Sequence, residues 1–171
     1  MLARWLRLRV VAVFDASKLK VGRHTTVEEW LPAWLEADLP EGVTVRSRIE
    51  EGDALPYVLV QEVQPTTAGQ FIRSDGAVDV LEFDVHTFAG GLDAEDVAWR
   101  LGWAVIELCR GYADRGKRVP GMTSFVVGFE LMERPRRRAD WADATGPVQY
   151  QDLPARVERF VLQARLVVLH R

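Results

Sequence analysis

Apolar positions along this chain change period several times, and each change marks an element. From residue 26 the spacing is helical: Val27, Trp30, Leu31, Trp34 and Leu35 recur every three or four residues and share one face. Thr26, with Glu29 three residues on, has the form of a capping box, which places a helix start there. Pro32 conflicts with an uninterrupted helix, because it lacks an N–H and its ring crowds the preceding turn. Either the helix kinks at Pro32, or it starts later with Pro32 in its first turn. Leu39-Pro40-Glu41-Gly42 ends it. The pattern then turns strand-like over 43–49, breaks at the turn Glu51-Gly52-Asp53, and resumes over 55–63 as a core strand. A polar, glycine-containing loop is expected over 64–77. Residues 78–88 read as a longer strand, with Leu81, Phe83 and Val85 facing in and Glu82, Asp84 and His86 facing out. The phase slips between Val80 and Leu81, which predicts a bulge.

The clearest helix spans 93–114. Asp93 suits the N-cap, and Glu95 and Asp96 suit the positive end of the helix dipole. Val97, Leu101, Ala104, Val105, Leu108 and Tyr112 form one wide apolar face, expected to cover the sheet. Trp99, Trp103 and Ile106 form a second stripe on roughly the opposite side, and either a neighbouring subunit or the N-terminal segment covers it. Two strands close the chain. Over 123–132, Phe125, Val127, Phe129 and Leu131 share a face; over 157–169, Phe160, Leu162, Ala164, Leu166 and Val168 do. Between them a polar loop is expected over 133–156, carrying Arg134-Pro135-Arg136-Arg137-Arg138 and Asp140-Trp141-Ala142-Asp143. Loops of that length are functional or disordered. The resulting order predicts an α+β domain: a mostly antiparallel sheet with a long helix and a shorter N-terminal helix packed on it.

Composition adds a boundary. With 171 residues, 48% of them hydrophobic, the chain suits one cored domain, 25–171, preceded by a short arm, 1–24. The arm carries Arg4, Arg7, Arg9, Lys18, Lys20 and Arg23 against Asp15, a net +5 in a chain whose total is −3, so 25–171 carries −8. A basic arm of this kind, an extended segment or a short helix, marks contact with an acidic surface. The whole chain has no basic footprint, which disfavours a free-standing nucleic-acid binder. Six Trp is many for one small core, and large aromatics beyond its needs belong at interfaces. The single cysteine, Cys109, excludes an intrachain disulfide and points to a reducing cytoplasm. No apolar run reaches the length of a membrane span, and the short run 10–14 lacks the features of a signal peptide.

Candidate chemistry is sparse, and no catalytic, cofactor-binding or metal-binding set is assigned. His24, His86 and His170 lie far apart without ligand spacing, and His86 reads as a surface residue of its strand. Cys109 sits mid-helix among apolar neighbours as an inert core thiol. Glu82 and Asp84 alternate on one strand face and read as solvated rather than as an acid–base pair. Ala89-Gly90-Gly91 before a helix lacks the signature of a phosphate loop and reads as a turn. The cluster Arg134–Arg138 is either a phosphate-binding or acidic-protein-binding patch or a solvated loop.

Three stretches in this order resemble the tail-terminator (tail-completion) proteins of siphophages, especially those infecting actinobacteria. They are Val27-Glu28-Glu29-Trp30-Leu31-Pro32-Ala33-Trp34-Leu35, the strand Leu55-Pro56-Tyr57-Val58-Leu59-Val60, and the strand-to-helix passage from Val80-Leu81-Glu82-Phe83-Asp84-Val85 to Asp93-Ala94-Glu95-Asp96-Val97-Ala98. The resemblance covers roughly 26–132 and, more loosely, the last strand; the arm and 133–156 lie outside it. It implies a non-enzymatic virion protein, assembled in the host cytoplasm and placed at the neck. There it forms a ring, commonly a hexamer, on the last ring of the tail tube protein. Such a ring stops polymerisation and offers a docking face to the head-completion (stopper) protein. DNA passes its lumen without sequence-specific binding, which the −8 of residues 25–171 suits. On this reading Trp99, Trp103, Ile106, Arg136, Arg137, Arg138 and Trp141 are the candidate residues for subunit or partner contacts. Competing expectations are another head–tail connector component, a stopper or adaptor; a small-ligand-binding or enzymatic α+β domain; and a nucleic-acid-associated protein using the arm and the arginine cluster.

Overall fold

The computed structural model describes residues 26–50, 53–63, 71–73, 76–138 and 157–170, with the backbone alone over 71–73 and 76–77. Its elements are α1 (Val27–Asp38), β1 (Thr44–Arg46), β2 (Tyr57–Glu62), β3 (Phe71–Arg73), β4 (Gly76–Gly90), α2 (Ala94–Asp114), β5 (Ser124–Arg137) and β6 (Val157–His170). The strands form one six-stranded sheet in the order β1-β2-β4-β6-β5, with β3 paired to the start of β4. Only β1 and β2 run parallel; every other pairing is antiparallel. This is the expected α+β class. The strand β3 falls inside the stretch expected to be loop: a three-residue run leaves too little alternation to register as a strand.

Both helices pack on the same face. Val58, Val60, Phe83, Val85, Leu162, Ala164, Leu166 and Val168 point toward them and share a core with Val27, Leu31 and Leu35 of α1 and Leu101, Val105, Ile106 and Tyr112 of α2. The two helices are tied directly. The Tyr112 hydroxyl bridges Trp34 O (3.0 Å) and Asp38 Oδ2 (2.8 Å). Lys117 Nζ lies 4.0 Å above the Tyr112 ring, 4.4 Å above the Trp34 ring and 3.2 Å from Asp38 Oδ2. The Tyr112 hydrogen bond first, and Lys117 second, hold the Asp38 carboxyl below its ordinary range. On the opposite face a smaller cluster of Tyr57, Leu59, Phe88 and Val157 is covered by Ile49 and Leu55 from the β1–β2 connection.

Several local expectations resolve differently. Helix α1 begins at Val27, with Pro32 inside it. Thr26 makes no side-chain cap bond; Glu62 of β2 caps the helix instead, its Oε2 accepting from Val27 N at 2.8 Å, while Glu28 Oε1 accepts from Glu62 N at 2.8 Å. A tertiary carboxylate therefore replaces the local box, and no sequence-local rule reaches a partner 35 residues away. Asp93 occupies the N-cap of α2 but also makes no side-chain cap bond. The β4–β6 register runs unbroken from Ala77↔His170 to Gly90↔Val157, so the bulge expected at Val80/Leu81 is absent. The apparent slip arises because the apolar residue moves from one sheet face to the other between these two positions. The irregularities lie in β5 instead, at Val126/Gly128, Leu131/Glu133 and Glu133/Arg136. The first of them interrupts the expected alternation: Val126 is buried, whereas Val127 is 48% exposed. Strand β5 also runs on through Arg137, so the arginine cluster expected in a loop starting at 133 lies mostly on a strand.

Candidate functional site

The arrangement of α2 is set by small residues. Ala94, Ala98 and Gly102 face the sheet along with Leu101, Val105, Ile106, Cys109 and Tyr112. Missing side chains at Ala94, Ala98 and Gly102 let the helix settle close to β4, β6 and β5. A Cβ built on Gly102 would stand 3.0 Å from Pro135 Cγ. Thr87 Oγ1 donates to Ala98 O at 2.7 Å in this tight region. The buried arc is consequently rotated from the one expected on large residues. Val97 is left 38% exposed, and Ile106, expected on the second stripe, is fully buried in the core. Hydrophobic size alone overlooks Ala and Gly as packing residues, and that explains the rotation.

Trp99 and Trp103 do lie beyond the buried arc, on the side of β5. Their rings meet edge to face with centroids 6.2 Å apart. Trp103 packs against the main core together with Phe129 and Leu131 of β5. Trp99 is 44% exposed, and it lies along α2 between two contacts with the end of β5: Glu95 with Arg137 (3.5 Å) and Gly102 with Pro135. Trp99, Trp103 and Arg137 thus lie together on the α2 side of the β5 border, whereas Arg136, opposite Val161, points to the other face of the sheet. Among the described residues that border is an edge strand, since β5 ends the sheet. Its first residues are shielded by 117–119, through Val126 N to Lys117 O and Val119 N to Ser124 O. Beyond that point Val127 and Met132 are exposed. Arg136 bonds Glu133 and Arg137 forks onto Glu158, both as surface pairs. Arg138 follows the strand, its N–H donating to Arg159 O. Trp141 and the basic segment 1–24 lie outside the described residues.

The titratable groups of the sheet are more enclosed than the alternation implies. His86 is 6% exposed, not a surface residue, and its Nδ1 accepts from Arg159 Nε (3.1 Å) and Nη2. Burial first, then the Arg159 charge, pushes its pKa down to about 3, so the ring is neutral at pH 7. Glu82 pairs with Arg165 at 3.0 Å. Asp84 is half-buried, and that burial raises its carboxyl above the ordinary range against a hydrogen bond with Gln163. Neither reading of these two as freely solvated holds, because the face they occupy is lined by other polar side chains. Cys109 is buried and its thiol is pushed up to about 12 by desolvation, which fits the inert core role.

One constellation was invisible in the sequence. Ser124 Oγ lies 2.7 Å from His170 Nδ1, and His170 Nε2 lies 2.8 Å from Asp79 Oδ2. The three residues are 46 and 91 positions apart and meet because β5, β6 and β4 are adjacent. A hydroxyl, an imidazole and a carboxylate in line have the elements of a nucleophile relay. Ser124, however, is 2% exposed within a strand, so its oxygen is closed to a solvent-borne substrate. What the chain does in this geometry is clasp three strands at one end of the sheet. Among the described residues no group of three or more His, Cys, Asp or Glu is placed to hold a metal ion, and no helix is long and apolar enough to cross a membrane.

No family model matches the chain, and neither does any curated protein. Among solved structures, a chain of the "Virion of native gene transfer agent (GTA) particle" is similar, with a TM-score of 0.48 and 16% sequence identity, over 84% of this chain and 95% of that one.

Proposed function

We propose that this chain is a non-enzymatic structural subunit of a long-tailed phage virion. In this reading it forms a ring that closes the tail tube at the neck, stops tube polymerisation and presents a docking face to the stopper protein. The observation that carries the reading is the β5 border. There an exposed Trp99 meets Trp103 edge to face and lies beside Arg137 of β5, the last strand of the sheet among the described residues. Surfaces of that composition suit protein contacts, because Trp and Arg are enriched where partners bury area. The helix–strand–strand–helix succession on which the resemblance to tail terminators rests is also present, as α1, β2, β4 and α2. DNA would pass the lumen without being held, in keeping with the net −8 of residues 25–171.

The test adds the purified chain to growing tail tubes of a siphophage and measures tube lengths by negative-stain microscopy. The expected result is a cap at one end and growth that stops. Tubes that lengthen as they do without the chain would exclude the capping role. Binding to the head-side stopper without tube arrest would move the assignment to another connector component.

A further inference from the structure

The sheet face turned away from the helices is covered unevenly. At one end Ile49 and Leu55 pack on Tyr57, Leu59, Phe88 and Val157. At the other end the register sets Val78 opposite Leu169, and Val80 opposite Val167 in the next row. These four alternate along their strands with Leu81, Phe83, Leu166 and Val168 of the helix-side core, so they point the other way. Each is partly exposed, and together they make an apolar strip on two neighbouring strands. The row beyond it is acidic: Arg165 stands between Glu82 (3.0 Å) and Glu130 (3.7 Å), one cation for two carboxylates. More negative charge gathers where the chain enters α1, since Glu28 and Glu29 both act on Glu62 as like charges. At that point the sheet edge is β2 among the described residues, because β1 pairs it only as far as Leu59. Glu62 lies opposite Phe83, so the strip begins three residues along β4, at about 3.3 Å per residue.

We infer that residues 1–24 round the β2 edge of their own copy and dock on the helix-free face, with Val10, Val11, Val13 and Phe14 on the strip of Val78, Val80, Val167 and Leu169. Three observations select this occupant. The segment carries net +5 and the rest of the chain −8, so charge draws it to the domain. Its run Val10-Val11-Ala12-Val13-Phe14 is apolar between basic stretches, as the strip is apolar beside carboxylates, and both gain by leaving water. It also ends in the right place. Lys18, Lys20 and Arg23 precede Thr26 closely enough to meet the carboxylates at the start of α1. Extended, 24 residues span up to about 80 Å, which is ample to reach the strip and to bring Arg7 and Arg9 to the Glu82–Arg165–Glu130 row. The inference does not depend on the ring reading.

Access to the strip can be read with a thiol. Val80→Cys in the whole chain puts one on it, and Cys109, being buried, does not compete for a thiol reagent. With residues 1–24 unaltered, the introduced thiol should react at least about tenfold more slowly than in denaturant. Adding Val11→Asp and Val13→Asp should speed its labelling by about tenfold, since these changes remove the apolar contact and lie outside the domain core. Peptide mapping that finds Cys109 unlabelled shows that the domain has stayed folded. The rate should not change on dilution, because segment and strip belong to one copy. Fast labelling with residues 1–24 unaltered would overturn the inference, and so would slow labelling that the two aspartates leave unmoved. Protection that disappears on dilution would overturn docking within one copy and assign the covering segment to a second copy.

Discussion

His86 puts a pH dependence into the sheet. Its folded pKa of about 3 lies below the ordinary value of 6.5, so between those values the unfolded chain binds a proton that the folded chain refuses. Stability from this residue is complete above pH 6.5 and is lost as pH falls, at about 1.4 kcal/mol per pH unit. Urea unfolding at pH 7 and pH 5 should therefore show a loss about 2 kcal/mol larger for the unaltered chain than for His86→Gln. Equal losses would mean that His86 is charged in the folded state. Cys109 gives a second residue-scale expectation. Its buried, high-pKa thiol should resist a thiol reagent at pH 8 in the folded chain and react at once in denaturant. Fast labelling of the native chain would place Cys109 at the surface.

At the scale of elements, the start of α1 is the sharpest case. Glu62, not Thr26, meets the first helical N–H, so Glu62→Ala should cost about 1 kcal/mol while Thr26→Ala costs a few tenths, read from chemical denaturation midpoints. The reverse order would restore the local capping box. The α2–β5 contact is similarly exacting. Gly102→Ala gains helix propensity, yet its methyl meets Pro135, and a net loss of about 1–2 kcal/mol is expected in the same assay. These two cases show what was legible in the sequence. The periods placed α2 and β6 to within a residue and β2 and β4 to within about two residues at each end, left the start of α1 open, and marked the face of β4 and β6 that meets the helices. The sequence did not reveal features that depend on distant partners or on small residues: the Glu62 cap, the rotation of α2 about Ala98 and Gly102, and the Ser124–His170–Asp79 clasp. Residues 133–137 were read as loop because charge and proline mask a strand, although both are common devices on edge strands.

For the molecule as a whole, the tryptophan stripe meets only part of the arginine cluster: Arg137 lies on the α2 side of β5 and Arg136 on the other face of the sheet. Neither the tryptophan stripe nor the arginine cluster had a fixed position until β5 was placed at the sheet border beneath α2. Ile106 was wrongly grouped with them because a helical projection ranks residues by angle and cannot tell how close the helix lies to its sheet. Trp99→Ala should shift thermal stability by less than about 1 kcal/mol, because the ring is already half in water. The enclosure of Lys117 has a practical consequence of another kind. The sequence contains three lysines, and Lys117 is held between two rings and a carboxylate. An amine-reactive dye should therefore label Lys117 more slowly in the folded chain than in denaturant, which mass mapping of the labelled peptide would show.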